Sequence, residues 1–216
     1  MIDVVLLSVE VAVLAVLICV LPATATAWVL ARKRFRGRAV LDAVVHLPLV
    51  LPPVVTGYVL LLLLGPQGPL GGLGLGFSTG GAAVAAAAVS FPLFVRPIRQ
   101  GFEALDDGLL EAAQSLGASP WRAFWTITLP LARPGLIAGT LLAFGRSLGE
   151  FGATITFVGS LPGETRTLPL ALHEALQTPD GESQALAFAL VSTGLAFVTL
   201  LVGEWIARRP RWTRSQ

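Results

Sequence analysis

An all-α polytopic membrane protein with five transmembrane helices is what this sequence predicts, and three observations carry the prediction. Hydrophobic residues make up 54% of the chain and charged ones only 13%, with a mean hydropathy of +0.76. A soluble domain carries about 25% charged residues. The apolar residues gather into five runs, at about 4–30, 44–64, 81–95, 134–158 and 185–206. The basic residues gather at the ends of those runs: of 15, five lie in 32–38, four in 96–133 and four in 208–214, which leaves only Arg146 and Arg166 elsewhere. Clusters beside apolar runs read as membrane topology with basic ends cytoplasmic, and not as nucleic-acid binding.

Several chemistries are excluded at the same stage. A single Cys19 rules out a disulfide framework, and His46 and His173 lie too far apart to form a metal-ligand cluster. Lys33 is the only lysine and no glycine precedes it, so the Gly-Lys-Ser/Thr of a phosphate-binding loop is absent. The chain is therefore expected to perform no catalysis, to hold no cofactor or metal, and to depend on another polypeptide for any ATP chemistry.

Taken in order, residues 4–30 would make roughly 40 Å of helix, enough to cross a core of about 30 Å with tilt. A cleaved signal peptide is the rival reading, but Asp3 is the only charge before the run and the basic cluster follows it. The N-terminus is accordingly expected outside and residues 32–38 in the cytoplasm. Run 44–64 contains Pro48, Pro52 and Pro53. Each removes a backbone donor, so its first half is expected to be broken and to face the protein interior. Residues 66–80, with six glycines and no charge, suit a short external loop. Run 81–95 is short and alanine-rich, needs Phe77 and Phe91 to help it span, and should be central because small side chains permit close packing.

Run 134–158 carries two glycine pairs, Gly135 with Gly139 and Gly145 with Gly149, at the spacing that allows intimate helix contact. Arg146 falls roughly 18 Å into this helix and Glu150 one turn beyond, so both should sit near the middle of the bilayer. Charges there are costly, and the pair reads either as part of a transport pathway or as mutual neutralisation that holds helices together. Ser147, Thr154 and Thr156 add hydroxyls that suit a passing oxyanion, or that bond back to their own helix. Residues 159–184 hold four acids against Arg166 alone and belong outside, with a short surface helix expected at 168–176. The last run ends in Arg208, Arg209, Arg211 and Arg214, which place the C-terminus in the cytoplasm, and Glu204 stands four residues before Arg208 as an expected interfacial pair. Only 207–216 follow that run, so no appended regulatory domain is expected.

One stretch remains, EAAQSLGASPWRAFWTITLP at 111–130. Asp107 is the expected N-cap of a first helix, with Leu109, Ala112, Ala113 and Leu116 along one stripe. Gly117 suits the helix end, Ser119-Pro120 restarts the chain, and Trp121, Phe124 and Trp125 give the second helix an apolar face. Glu111-Ala112-Ala113, then Gly117 after three residues, then Ile127, Leu129 and Pro130 after nine more, resembles at every defining position the EAA loop of ATP-binding-cassette importer permeases. Two further stretches, HLPLVLPPVVTGYVLLLLLGPQGPLG and RSLGEFGAT, are similar to permeases for molybdate and related tetrahedral oxyanions.

The resemblance spans 41–205. It implies a single permease domain with a type I importer fold of the methionine/molybdate permease kind, and a cytoplasmic coupling loop at 96–133. Glu111, Ala112, Ala113, Gly117, Ile127, Leu129 and Pro130 would engage a separate ATPase. Arg146, Ser147, Glu150 and Thr154 are the pathway candidates. The implied partners are a second copy of the chain, two cytoplasmic ATPase subunits, an extracytoplasmic oxyanion-binding protein and membrane lipid, in a bacterial cytoplasmic membrane. Molybdate is the expected cargo, with tungstate or sulfate and thiosulfate as alternatives. An ATP-independent channel or carrier built on Arg146 and Glu150 is the rival from another class, and a purely structural membrane subunit a third.

Overall fold

The computed structural model describes residues 1–207, which form α1 (Ile2–Arg32), α2 (Arg38–Val50), α3 (Pro53–Leu64), α4 (Thr79–Glu103), α5 (Asp107–Ser115), α6 (Pro120–Ala123), α7 (Leu129–Leu131), α8 (Arg133–Leu148), α9 (Gly152–Phe157), α10 (Leu168–Gln177) and α11 (Glu182–Ala207). The expected pair between Glu204 and Arg208, and the basic cluster at 208–214, fall outside the described residues.

The core is built on α4. Along α1 the buried positions Leu7, Val11, Ala15, Cys19, Ala23 and Ala27 recur every fourth residue and form one ridge. That ridge packs on α4, whose buried Ala82, Ala85, Ala86 and Val89 have little side chain to hold the two backbones apart. Run 81–95 is thus central, as expected, but the helix is longer than its apolar run. Ser78 accepts from the Gly81 amide at 3.1 Å to cap the start, and Pro92 and Pro97 sit inside without ending it. The final two turns, which carry Arg96 and Arg99, are helix and not loop.

The second run is two helices. The α2 and α3 axes bend by 113° at Leu51 and Pro52, both extended. Each of these residues precedes a proline, whose ring excludes the helical conformation of its neighbour, while Pro53 at the first position of α3 is preset for helix. The expectation that the first half faces the interior is not met in the single chain, since Val45 is the only buried residue of α2 and Val50 is 83% exposed. The packed part is α3, where Gly57 lies so close to α9 that a Cβ would approach the Ala153 Cα to 2.8 Å.

The fourth run also divides. Helix α8 stops at Leu148, Gly149 to Phe151 turn the chain, and α9 resumes for six residues. Of its two glycine pairs only the first makes a close helix contact: a Cβ on Gly139 would meet the Phe94 carbonyl at 2.7 Å, and one on Gly135 would meet the Pro97 carbonyl. Around Gly149 there is open space, and the nearest atom to a Cβ on Gly145 is Thr199 Cγ2 at 3.9 Å. The second pair faces a crevice and makes no tight contact.

Beyond α9, Thr165 Oγ1 accepts from the Leu161 amide at 2.8 Å and donates to Gly159 O, folding the segment into a compact turn. The short helix expected at 168–176 is α10, fixed to α1 because Ser8 Oγ accepts from the Leu168 amide at 2.7 Å. Among the described residues three helices, Ile2–Arg32, Thr79–Glu103 and Glu182–Ile206, are long and apolar enough to cross a membrane, and up to five spans result if each bent pair counts as one. The second such pair joins Pro120–Leu131 to Arg133–Leu148 with a 62° bend, and so begins earlier than the run 134–158.

Glycine at 139 is thus a packing requirement. Replacing Gly139 with Val is expected to cost about 1–3 kcal/mol through overpacking, whereas Gly145→Ala should stay within about 0.5 kcal/mol. Thermal unfolding of the two purified variants in detergent measures the difference, and equal melting temperatures would contradict the α4–α8 contact.

Candidate coupling loop and intramembrane ion pair

The loop after α4 is held at its base and bare at its tip. Its first helix starts one residue earlier than expected: Asp106, not Asp107, is the N-cap, its Oδ1 accepting from the Gly108 amide at 2.9 Å. At the other end the Gly117 amide donates to Gln114 O at 2.9 Å and the Ala118 amide to Ala113 O at 3.0 Å. That pair of bonds is the Schellman closure, and it requires the left-handed conformation that Gly117 adopts at φ +88°. The restart follows the expected pattern, with Ser119 Oγ accepting from the Arg122 amide at 3.2 Å and Pro120 opening α6. Between α6 and α7 the chain widens into a π turn over Phe124–Thr128, in which the Leu129 amide reaches back to Phe124 O. Pro130 follows directly; it cannot donate to the preceding turn, and a widened turn accommodates it.

Aromatic rings make the base. Phe124 meets Trp28 of α1 edge-on at 6.1 Å between centroids and Phe102 of α4 at 6.4 Å. Trp121 stacks on Phe124 at 6.2 Å and meets Trp125 edge-on at 5.5 Å, and past these rings the tip is open. No described side chain of α5 is buried, Leu116 is 89% exposed, and Trp121 is 70% exposed. The expected coupling residues divide accordingly. Glu111, Ala112 and Gly117 are exposed at the tip, Ala113 is half-buried, and Ile127, Leu129 and Pro130 are half-buried in the returning segment.

The four pathway candidates surround the break between α8 and α9. Arg146 Nη1 lies 2.6 Å from Glu150 Oε2, and Glu150 Oε1 accepts from the Ala153 amide at 2.7 Å. Glu150 thus works twice, as counter-ion to Arg146 and as acceptor for the first turn of α9. Its side chain is 2% exposed while that of Arg146 is 29% exposed. Ser147 is buried and donates to Ser90 of α4 at 3.3 Å, which ties α8 to the core, and Thr154 is buried in α9. Thr156 bonds back to Gly152 O of its own helix at 2.8 Å. Within one chain, then, only Arg146 of the four reaches an open surface. The capping role of Glu150 was not anticipated, although Gly149 and Gly152 on either side of it are the composition of a helix break.

A family model described as binding-protein-dependent transport system inner membrane component matches residues 23–212. The molybdenum transport system permease protein ModB of Escherichia coli strain K12 is 54% identical, covering 96% of this chain and 93% of its own length. ModB of Haemophilus influenzae is 50% identical over 94% of this chain and 92% of its own. The sulfate transport system permease protein CysW of Synechocystis is 39% identical over 85% of this chain and 68% of its own. Among solved structures, a bacterial ABC transporter for import of the acidic polysaccharide alginate aligns with TM-score 0.74 at 17% identity, covering 96% of this chain and 79% of that one. An amino acid ABC transporter aligns at 0.66 and 20% identity, covering 97% and 93%. The fold is that of ABC importer permeases, and with nearly the whole length matched, the chain belongs to the family of inner membrane components of binding-protein-dependent transport systems.

Proposed function

We propose that this chain is the permease subunit of a molybdate importer. It would work as a two-fold homodimer with two cytoplasmic ATPase subunits and an extracytoplasmic binding protein. The observation that carries the reading is the loop at 111–130, where Glu111, Ala112 and Gly117 stand exposed on a capped, aromatic-anchored base and none of the described residues covers them. A second polypeptide is the natural occupant of such a surface. The cargo rests on the two relatives named for molybdenum transport at 50% identity or more. The 39% identity to a sulfate permease makes sulfate the second reading. A binding-protein partner is supported further by a similar alginate transporter solved in complex with its substrate-bound periplasmic protein.

Orientation follows from charge. The basic linker at 32–38, the end of α4 and the coupling loop all belong to one side, which the positive-inside tendency makes cytoplasmic, with the N-terminus outside. A homodimer follows from span number, since five spans or fewer are too few to enclose a pathway and an axial pore between two copies supplies one. In this scheme ATP binding closes the ATPase pair, the coupling loops move with it, and the dimer opens outward to receive the oxyanion. Hydrolysis then resets it. Arg146 is the pathway-facing group, Glu150 sets its position, and Ser147 and Thr154 hold the surrounding helices.

Uptake of labelled molybdate and sulfate into vesicles holding the assembled transporter is the direct test. Uptake is expected to require both ATP and the binding protein and to favour molybdate; ATP-independent flux would establish the carrier instead. Gly117→Arg should abolish ATPase association while membrane insertion persists, because a left-handed non-glycine residue costs about 1–2 kcal/mol and the long side chain stands on the docking face. Co-purification of the ATPase with that variant at the normal level would remove the coupling assignment. Glu150→Gln should lower uptake roughly tenfold with the assembly intact, measured beside size-exclusion of the complex, and undiminished uptake would leave the pair a purely structural one.

A further inference from the structure

At the end of the molecule that carries the coupling loop, α2 is held to α4 by ions more than by packing. Arg99 Nη1 donates to Asp42 Oδ1 at 2.9 Å and Arg99 Nε donates to Glu103 Oε1 at 2.8 Å, so one planar guanidinium ties α4 to α2 through one group and bonds along its own helix through another. Arg38 Nη2 stands 3.8 Å from the same Glu103 oxygen, and His46 Nδ1 lies 3.2 Å from Asp42 Oδ1. Arg38 and Asp42 lie on the first two turns of α2 and His46 on its third, while Arg99 and Glu103 lie on the last turns of α4. Val45 is the only buried side chain of α2, so little apolar contact would keep the helix in place without the ions.

The two elements so joined lead to different parts of the machine. Three residues after Glu103 comes Asp106, the cap of α5, and Arg32 Nη2 donates to Leu105 O at 3.0 Å within that short link. In the other direction α2 runs to the 113° corner at Leu51 and Pro52. Past the corner, α3 packs on α9, where a Cβ on Gly152 would meet Pro53 Cβ at 2.9 Å. Glu150 lies in the break just before α9 and accepts from its Ala153 amide, and Arg146, in the last turn of α8, is paired with it. A continuous set of contacts therefore leads from the coupling loop to the intramembrane pair; its sparsest interface is that of α2 with α4, where Asp42–Arg99 is the shortest ion pair.

We infer that the Asp42–Arg99 ion pair is the joint that passes movement of the coupling loop to α2 and thence to the α8–α9 break. Both are positioning residues that touch neither nucleotide nor cargo. The inference rests on the importer reading above and adds the route within the permease. The quantity that reads the joint is transport per ATP hydrolysed.

The experiment uses the full transporter with its ATPase and binding protein in vesicles, with labelled molybdate as the probe. Hydrolysis and uptake are followed together in Asp42→Asn, Arg99→Gln and the charge-exchanged double variant Asp42→Arg/Arg99→Asp. Each single variant is expected to keep hydrolysis within about twofold while uptake per ATP falls roughly tenfold, and the exchange is expected to recover much of the loss. An unchanged uptake-to-hydrolysis ratio in both single variants overturns the joint. So does a parallel fall of hydrolysis and uptake that the exchange does not rescue, which is the signature of a fold or assembly contact. Absence of ATP-dependent uptake in the unmodified transporter would instead overturn the importer reading on which the inference rests.

Discussion

The close approach of α1 and α8 to α4 is the contact on which the rest of the structure depends. Apolar side chains gain little by leaving lipid for protein, so helices in a bilayer associate through dispersion contact and buried hydrogen bonds, both of which need short distances. Alanines at 82, 85 and 86 supply the short distance on the α1 side, and Gly135 and Gly139 supply it on the α8 side. With the two flanking helices seated, the hydroxyls of Ser90 and Ser147 come within 3.3 Å and the large rings of Phe94, Phe102 and Phe157 are buried completely. The candidate coupling loop inherits its footing from the same core, because Phe124 rests against Phe102 at the end of α4 and Trp28 near the end of α1.

The two helix breaks use different devices to solve one problem. A break inside a membrane domain frees backbone groups that lipid cannot satisfy. At Leu51 and Pro52 the prolines themselves remove donors, and the corner is formed by residues that precede a proline and cannot be helical. At Gly149 no proline is present, and a carboxylate does the work: Glu150 Oε1 takes up the Ala153 amide while its other oxygen faces Arg146. The breaks are in contact through α3 and α9, so the two interruptions of helix are gathered in one region.

Most of the architecture was legible in the sequence because its determinants are local. Hydropathy and basic clusters mark the long helices, and Gly117 with Ser119-Pro120 marks the elbow. The errors have one cause. A hydropathy run ends where charge begins, but a helix ends where its backbone bonding ends, so α4 continues through Arg96 and Arg99 to Glu103 and α2 begins at Arg38. In sequence Arg99 therefore looks like a topology marker, and its pairing with Asp42, 57 positions away, is a tertiary fact with no local signature. Spacing presented the pairs Gly135–Gly139 and Gly145–Gly149 as equivalent, and only the first has a neighbour close enough to need glycine. Ser147 and Thr154 carry the chemistry of a polar pathway in their side chains, but helix phase turns both toward the protein interior.

On the importer reading, the pairing of Arg146 with Glu150 also bears on selectivity. An unopposed guanidinium in a partly desolvated pathway would attract each negative charge of a tetrahedral dianion by roughly 4 kcal/mol at about 4 Å and an effective dielectric of about 20. Such a site would retain its cargo, and transport requires binding weak enough to permit release. With Glu150 at 2.6 Å the guanidinium is compensated before any anion arrives, so it can orient a passing oxyanion by hydrogen bonding without trapping it. A pathway of this kind distinguishes poorly between anions of equal charge and similar shape. Discrimination of molybdate from sulfate therefore falls to the binding protein, which is also why permeases for either anion can share this much sequence.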